Sequence, residues 1–400
     1  MQNRNNELYI LAVAQCFTSM GFSIIFPFLP LYIGELNTIT NLNKATLSGL
    51  VFSAQAVSMM MISPFWGAIA DRYGKKPMVI RAMTGGAITI FMMGFVHTAE
   101  VLIALRILQG LLSGVVSATS ALAVSISSEE NKGYSLGLLQ TGIGMGVSLG
   151  PLLGGVLADT FGFRSTFVIT SVLLFLSGMT VLFFVKEEVV TPGKMSVHNR
   201  FIKQWKAIIL NRKLSAAFGL RFINSIASTI LLPVIPLFIE TIIQKKEKTG
   251  TMTGLVLGST SVASIIGSLI LTRIGDKKGH HHLVLTGSIL AAFFFIPQYF
   301  AHSLWVLVAL NIGTGFCIGA LTPSLSALLA TNSPKGTEGS IYGLDNSVVS
   351  AGRAIAPLLA ALVAVQLDYR AIFIVAAVMF ILMAIATGNI FFEKGKLVRH

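Results

Sequence analysis

Apolar stretches of about 20 residues recur along this chain of 400 residues, and they limit its possible folds more than any other feature. A helix that crosses a bilayer needs about 20 mostly apolar residues. Charged residues make up only 11% of the chain, whereas globular domains carry about 25%. We therefore predict an all-α integral membrane protein with twelve transmembrane helices. The predicted spans are residues 8–33, 45–69, 78–97, 101–126, 135–158, 164–185, 214–243, 251–273, 283–300, 304–330, 339–366 and 370–392.

The positive charge of the chain favours a membrane over nucleic acid as its partner. The net charge is +13, but with both termini in the cytoplasm most Lys and Arg residues fall in inner segments. Such a bias sets the orientation of membrane proteins. Because the inner leaflet carries anionic headgroups, we expect membrane lipids, and no nucleic acid, against the basic surface.

The sequence repeats itself at an offset of 205–206 residues. "FPFLPLYIGE" from Phe26 matches "LPVIPLFIET" from Leu232, and "GFRSTF" from Gly162 matches "DYRAIF" from Asp368. We predict two homologous six-helix bundles, residues 1–185 and 214–400, joined by a cytoplasmic loop at 186–213. Internal repeats of this kind are typical of secondary transporters, whose substrate site lies near the middle of the membrane.

The fifth predicted span contains a row of glycines in "GIGMGVSLGPLLGG". Gly142, Gly146, Gly150 and Gly154 are four residues apart, so they share one helix face. Rows of small residues let another helix approach to backbone distance, and Pro151 favours a bend. A phosphate-binding loop would need a preceding strand and surrounding water. We therefore expect a close-packed seam that lets the two bundles close tightly.

Four motifs resemble those of the major facilitator superfamily. The fifth-helix antiporter motif is matched by Gly137, Gly146, Gly150, Pro151, Gly154 and Gly155. The signature of the loop between the second and third helices is matched by Gly67, Asp71, Arg72, Gly74, Lys75 and Lys76 in "GAIADRYGKKPMV". "LRILQGLLSG" resembles the fourth-helix motif, and "FPFLPLY" resembles the first-helix proline motif of twelve-span drug exporters. Along nearly its whole length the chain is similar to bacterial multidrug:proton antiporters of the MdtG type.

The resemblance implies the fold and the function. It implies two pseudo-symmetric six-helix bundles in a bacterial inner membrane, with both termini cytoplasmic. It implies export of small amphipathic substrates in exchange for protons by alternating access, by a monomer that uses the proton gradient and no bound cofactor. The alternative is a dedicated exporter or flippase of one endogenous metabolite or lipid. We find no nucleophile–base constellation or P-loop, and therefore do not expect an enzyme.

The loop signature implies a conformational latch. By resemblance, Asp71 lies against the start of the eleventh helix, where a carboxylate is stabilised by the helix dipole. Arg72 or Lys75 would pair with Glu129 or Glu130 at the inner end of the fourth helix. The alternative is a basic turn that only follows the charge bias.

Charges within the bilayer are functional candidates because each is costly there. The resemblance places Arg106 in the central cavity and associates it with proton coupling. Arg353 lies near the middle of the eleventh span, and Asp345 lies two turns before it, so we expect a cavity or a pairing. Arg221, two turns into the seventh span, has a cavity role or extends to the inner surface.

The proton carrier that we predict is Asp345, with Glu240 and Glu35 as secondary candidates at the outer ends of their spans. Many related exporters carry a first-helix acid, but this chain has Gln15 there. Polar residues expected in the substrate cavity are Gln15, Arg221, Asn224, Ser228 and Asn311. Three arginines against one aspartate favour neutral, zwitterionic or anionic amphiphiles over simple cations.

Other polar residues receive no functional role. Glu100, Asp159 and Asp368 lie at outer turns, where we expect them to be solvated. The adjacent histidines His280–His282 lack a paired acid or Cys in the sequence pattern, so we assign no metal site.

Overall fold

The structure is a computed structural model that describes residues 2–127, 131–187, 212–243, 246–332 and 338–391. Fifteen α-helices occupy most of these ranges. In chain order they are α1 (Gln2–Ile24), α2 (Leu29–Ile33), α3 (Lys44–Tyr73), α4 (Lys75–Met93), α5 (Ala99–Leu112), α6 (Val115–Ile126), α7 (Lys132–Phe161), α8 (Phe163–Phe184), α9 (Arg212–Thr229), α10 (Ile235–Ile242), α11 (Thr249–Lys278), α12 (His280–Gln298), α13 (Leu304–Thr331), α14 (Glu338–Gln366) and α15 (Ala371–Phe391).

Ten helical segments in the described ranges are long and apolar enough to cross a membrane, judged by length and composition. The predicted third and seventh spans do not reach that standard. The third corresponds to α4, which carries Lys75, Lys76 and Arg81, and the seventh is divided between α9 and α10. The all-α membrane fold is confirmed. The third span falls short of the standard because α4 carries three charges, and the seventh falls short because it is divided into two shorter helices.

The first and seventh predicted spans are each broken at their proline pair. α1 ends at Ile24 and α2 begins at Leu29, while α9 ends at Thr229 and α10 begins at Ile235. A proline removes a backbone donor and disfavours helix in the residue before it, but it fits the first turn of a new helix. Each short second helix accordingly has a proline in its first turn.

The fourth predicted span is also broken, without a proline. α5 ends at Leu112, and α6 begins at Val115 after Gly114, whose φ of 112° is left-handed. Only glycine adopts that conformation readily. The sequence predicts a single helix over 101–126, and the break corrects that prediction.

The described chain forms two compact units. One consists of Met1–Lys194 with Leu232–Gly258, and the other of Met195–Leu231 with Ser259–His400. α11 therefore contributes its first turns to one unit and the rest to the other. The predicted boundaries at 185–186 and 213–214 remain a prediction, because most of the intervening loop lies outside the described residues.

Each unit has its own packed interior. In the first unit, Phe28 packs against Phe163 with ring centroids 5.6 Å apart, and the Tyr32 hydroxyl donates to the Met93 carbonyl at 3.0 Å. In the second unit, Phe295 stacks on Phe380, also at 5.6 Å. Aromatic pairs at such spacing add to the stability gained from burial.

Candidate functional site

The glycine row of α7 lies against α1. A Cβ atom built on Gly142 would lie 2.6 Å from the Ala12 carbonyl oxygen, and one on Gly146 would overlap the Cys16 carbonyl. Gly150 and Gly154 are equally close to α1. The expected partner of this row is the other bundle, but the structure places it against the first helix of the same unit. α1 fits because its own backbone carbonyls form the facing surface.

The outer half of α7 also contacts α11. A Cβ built on Gly155 would overlap the Gly250 carbonyl, and one built on Gly254 would overlap the Pro151 carbonyl. Gly155 and Pro151 therefore form the part of the predicted seam that meets α11, while the seam's role in transport stays a prediction.

Asp159 caps α11 and is not the solvated residue that we expect from the sequence. Its carboxylate accepts hydrogen bonds from the Gly250 N–H at 3.1 Å and the Thr251 N–H at 2.6 Å. A carboxylate at a helix start satisfies free N–H groups and interacts favourably with the helix dipole. Glu100 likewise accepts hydrogen bonds from the backbone N–H groups of Ile39 and Thr40, so it too has protein partners.

Arg106 is buried among neutral partners. Its side chain is 1% exposed, and its Nη1 donates to the Oε1 atoms of Gln55 and Gln109, both at 2.8 Å. The Arg106 Nε and Nη2 atoms are buried without a hydrogen-bond partner among the described residues. A buried charge without a counter-charge is costly, so the first unit holds an electropositive centre on α5.

Gln15 is not open to a cavity. It is 1% exposed, its Nε2 donates to the Ser19 hydroxyl at 3.1 Å, and its Oε1 accepts from the Thr119 hydroxyl at 2.8 Å. These bonds tie α1 to α6. The predicted substrate contact at Gln15 is therefore replaced by a structural link, because a buried amide is stable only when its polar atoms are paired.

Arg221 and Asp345 form an ion pair between α9 and α14. Arg221 Nε donates to Asp345 Oδ1 at 2.8 Å, and Nη2 donates to Oδ2 at 3.0 Å. The two side chains are 11% and 9% exposed, and Arg221 Nη1 also donates to the Thr322 carbonyl at 3.1 Å. Such a bidentate arginine–carboxylate pair is among the strongest charge-assisted hydrogen bonds. Arg221 is thus held within its unit and does not extend to the surface.

Arg353 does not take part in that pair. Its side chain is exposed on α14. Asp345 therefore pairs with an arginine on a neighbouring helix and not with Arg353 on its own helix.

The three remaining cavity candidates differ in accessibility. Ser228 is exposed, whereas Asn224 is buried with its Nδ2 3.4 Å from the Thr322 hydroxyl. Asn311 lies in a buried network in which its Nδ2 donates to Gln298 Oε1 at 3.2 Å. A paired, buried Asn311 has a packing role, so of these three the structure leaves Ser228 available to a ligand.

The secondary proton candidates lie at the surface of their unit. Glu35 is exposed, and Glu240 Oε2 lies 3.2 Å from Lys44 Nζ with both side chains about one-third exposed. Exposed ion pairs contribute little to stability. Among the described residues, the one buried carboxylate is that of Asp345.

The loop signature is described only in part. Gly74 has a φ of 97°, and the backbone N–H groups of Lys75 and Lys76 donate to Glu187 at 2.8 Å each, so Glu187 caps α4. Glu129 and Glu130 lie outside the described residues, and for Gly67, Asp71 and Arg72 only the backbone of α3 is described. The latch stays a prediction.

The sequence pattern also misses local partners. His280 Nε2 lies 3.2 Å from Asp276 Oδ1, an acid one turn earlier. No group of three potential metal ligands lies together within the described ranges. Arg81, to which the sequence analysis assigns no role, lies within α4, and its position inside the predicted span 78–97 is the signal that could have identified it.

The comparisons agree with this architecture. The sequence profile of the Major Facilitator Superfamily matches residues 11–242 and 217–397. A "Multi-drug resistance efflux pump PmrA homolog" from Lactococcus lactis subsp. lactis (strain IL1403) is 32% identical over 397 residues, which cover 98% of this chain and 96% of the relative. "Multidrug resistance protein MdtG" from Rahnella sp. (strain Y9602) is 32% identical, covering 94% of this chain and 91% of the relative.

Solved structures show the same fold at low identity. A mutant of the nucleoside transporter NupG has a TM-score of 0.79 and 14% identity, covering 97% of this chain and 100% of that chain. The human organic anion transporter MFSD10 (TETRAN) has a TM-score of 0.69 and 18% identity, covering 96% and 99%.

Proposed function

The chain belongs to the Major Facilitator Superfamily, and we propose that it exports amphipathic small molecules across a bacterial inner membrane in exchange for protons. Two relatives at 32% identity over nearly the full length carry the names of multidrug efflux and resistance proteins. The charge bias supports cytoplasmic termini. Export of many amphiphiles by alternating access is the function that these observations favour.

The Arg221–Asp345 ion pair is the observation that most supports proton exchange. A coupled exporter needs a group that takes up a proton and changes the packing of helices when it does. Asp345 is a buried carboxylate whose two oxygens each accept a bond from an arginine on another helix. Protonation removes its charge and therefore the ion pair.

Loss of the pair has a mechanical consequence. A buried charge whose partner is removed costs about 3–5 kcal/mol, so Arg221 would not stay in place beside a neutral Asp345. α9 and α14 would then adopt a different packing. We propose that this change links proton binding at Asp345 to the transport cycle.

Arg106 has an electrostatic part in the same proposal. Arginine stays protonated in proteins, so it does not itself carry the exchanged proton. Its buried charge, and its Nε and Nη2 atoms that have no hydrogen-bond partner in the described part of the chain, would instead attract an anionic or acceptor group. Together with the exposed Arg353, it supports neutral, zwitterionic or anionic amphiphiles as better substrates than simple cations.

Transport by the reconstituted chain tests the proposal. Three dyes serve as probes: ethidium as a cation, 8-anilinonaphthalene-1-sulfonate as an anion and N-phenyl-1-naphthylamine as a neutral amphiphile. We expect transport of the neutral and anionic dyes to be faster than that of ethidium and to be accelerated by a pH gradient.

Two matched variants complete that experiment. Asp345→Asn should lose the acceleration, whereas Asp368→Asn, at an exposed outer turn, should keep it. Transport of only one dye would favour a dedicated exporter, and transport unaffected by the pH gradient in wild type would contradict proton exchange. A strong preference for ethidium would contradict the substrate proposal.

A further inference from the structure

Arg81 is a cation within the predicted span 78–97 that the proposed mechanism does not use. It lies on α4, its Cζ atom is 3.3 Å from the centre of the Trp66 ring on α3, and its Nε and Nη1 atoms are buried without a hydrogen-bond partner among the described residues. An arginine over an indole face is attracted by the ring, and an intramembrane charge is by default a functional candidate.

The Arg81–Trp66 pair lies at the break between α5 and α6. Trp66 Nε1 donates to the Leu111 carbonyl at 2.7 Å, and Arg81 Nη2 donates to the Ser113 carbonyl at 3.2 Å. Leu111 lies in the last turn of α5, and Ser113 follows the end of that helix, at the break itself. Inside a membrane a broken helix persists only where side chains or neighbours satisfy the freed backbone groups. Trp66 and Arg81 do so from two different helices.

The break separates two buried polar clusters of the first unit. On α5, Arg106 donates to Gln55 of α3 and to Gln109, three residues later on the same helix. On α6, Thr119 is bonded to Gln15 of α1. A change of angle at Ser113–Gly114 would therefore move the Arg106 cluster relative to the Gln15 cluster.

We propose that the α5–α6 break is a hinge of the transport cycle and that Arg81 and Trp66 are positioning residues that hold it. They act through the Leu111 and Ser113 carbonyls, which in a continuous helix would accept hydrogen bonds from residues of the next turn. Without the two side chains, those carbonyls recover partners only if the helix closes across the break. The inference rests on the exporter function but not on Asp345 as the proton carrier.

Three variants test the hinge. Trp66→Phe keeps a ring beneath Arg81 but removes the N–H donor, Arg81→Gln removes the charge, and Gly114→Ala acts on the break alone because φ of 112° is strained for alanine. Each should lower the maximal transport rate about fivefold to tenfold, with the dissociation constant of the dye changed less than about twofold. Trp66→Phe and Arg81→Gln each weaken or remove a hydrogen bond to a carbonyl at the break, and Gly114→Ala strains the broken backbone. The dye is the one that wild type transports fastest.

Hydrogen exchange in lipid nanodiscs supplies a second readout that does not depend on transport. The first N–H groups of α6 lack intrahelical partners in the broken state. We expect the amides of residues 114–117 to exchange about fivefold more slowly in all three variants, because the closed helix bonds them. Arg81→Lys, which restores a charged donor, should recover part of the wild-type rate and exchange.

Matched controls separate the hinge from general damage. Trp305→Phe and Arg273→Gln alter exposed residues of α13 and α11 and should leave transport rate and exchange unchanged. Unchanged exchange at 114–117 in the three variants would overturn the proposal, as would a loss of dye affinity equal to the loss of rate. If no dye is transported by wild type, the exporter proposal fails while the exchange result still decides whether these side chains hold the break.

Discussion

A carboxylate inside a membrane protein is stable only with a partner, and Asp345 obtains one from Arg221 on a different helix. The sequence identifies Asp345 as the candidate acid, since it is the acid that lies deep in a predicted span. It does not identify the partner, because Arg353 is nearer along the chain and α9 is more than a hundred residues away. Pairing between helices depends on packing angles that a one-dimensional pattern does not contain.

Removal of one partner of this pair should destabilise the fold. We expect Asp345→Leu to lower the free energy of unfolding by about 3–5 kcal/mol, because Arg221 keeps a buried charge without a counter-charge. The double variant Arg221→Met with Asp345→Leu should recover most of that loss, since both charges are gone. Unfolding in mixed micelles measures the free energy of unfolding of both variants. A double variant as unstable as Asp345→Leu alone would contradict a direct ion pair between Arg221 and Asp345.

At the scale of helices, local rules explain some breaks and not others. The proline pairs of the first and seventh spans coincide with breaks, because proline ends one helix and starts the next. The break at Gly114 depends on Trp66 and Arg81, which lie on other helices and satisfy its carbonyls. A sequence pattern contains the glycine but not those donors.

The contact between α1 and α7 predicts a position-specific cost. Gly146→Ala should destabilise the fold by about 1–3 kcal/mol, because the added methyl overlaps the Cys16 carbonyl and the helices must separate. Gly137→Ala on the same helix is the control, since a Cβ there meets nothing within 4 Å and alanine favours helix. Thermal unfolding compares the two, and equal effects would show that the row is not closely packed.

The start of α11 gives a second prediction at this scale. Asp159→Ala should weaken the helix start by about 0.5–2 kcal/mol, because the Gly250 and Thr251 N–H groups lose their acceptor. Faster hydrogen exchange confined to residues 250–252 would report this loss. Asp368→Asn, which alters an exposed acid at an outer turn of the second unit, is the control. Faster exchange at residues 250–252 in that variant as well would exclude a specific cap.

For the whole molecule, length, apolar spans and the internal repeat are sufficient to predict the fold class, because twelve predicted spans and two related halves leave few architectures. They do not predict how the chain divides. Residues 232–258 join the first unit although they follow the central loop, since α11 packs its glycines against α7. The glycines at 250, 254 and 258 are visible in the sequence, but their partner helix is set by the tertiary fold.

The most direct test of proton exchange compares two transport modes of Asp345→Asn in liposomes. Exchange of labelled for unlabelled dye at equal concentration needs no net proton transfer, whereas uphill export driven by a pH gradient does. We predict that Asp345→Asn keeps dye exchange near the wild-type rate, loses uphill export and shows no dye-evoked proton movement with an internal pH indicator. Uphill export and proton movement at wild-type rates in this variant would contradict the assignment of Asp345 as the proton carrier.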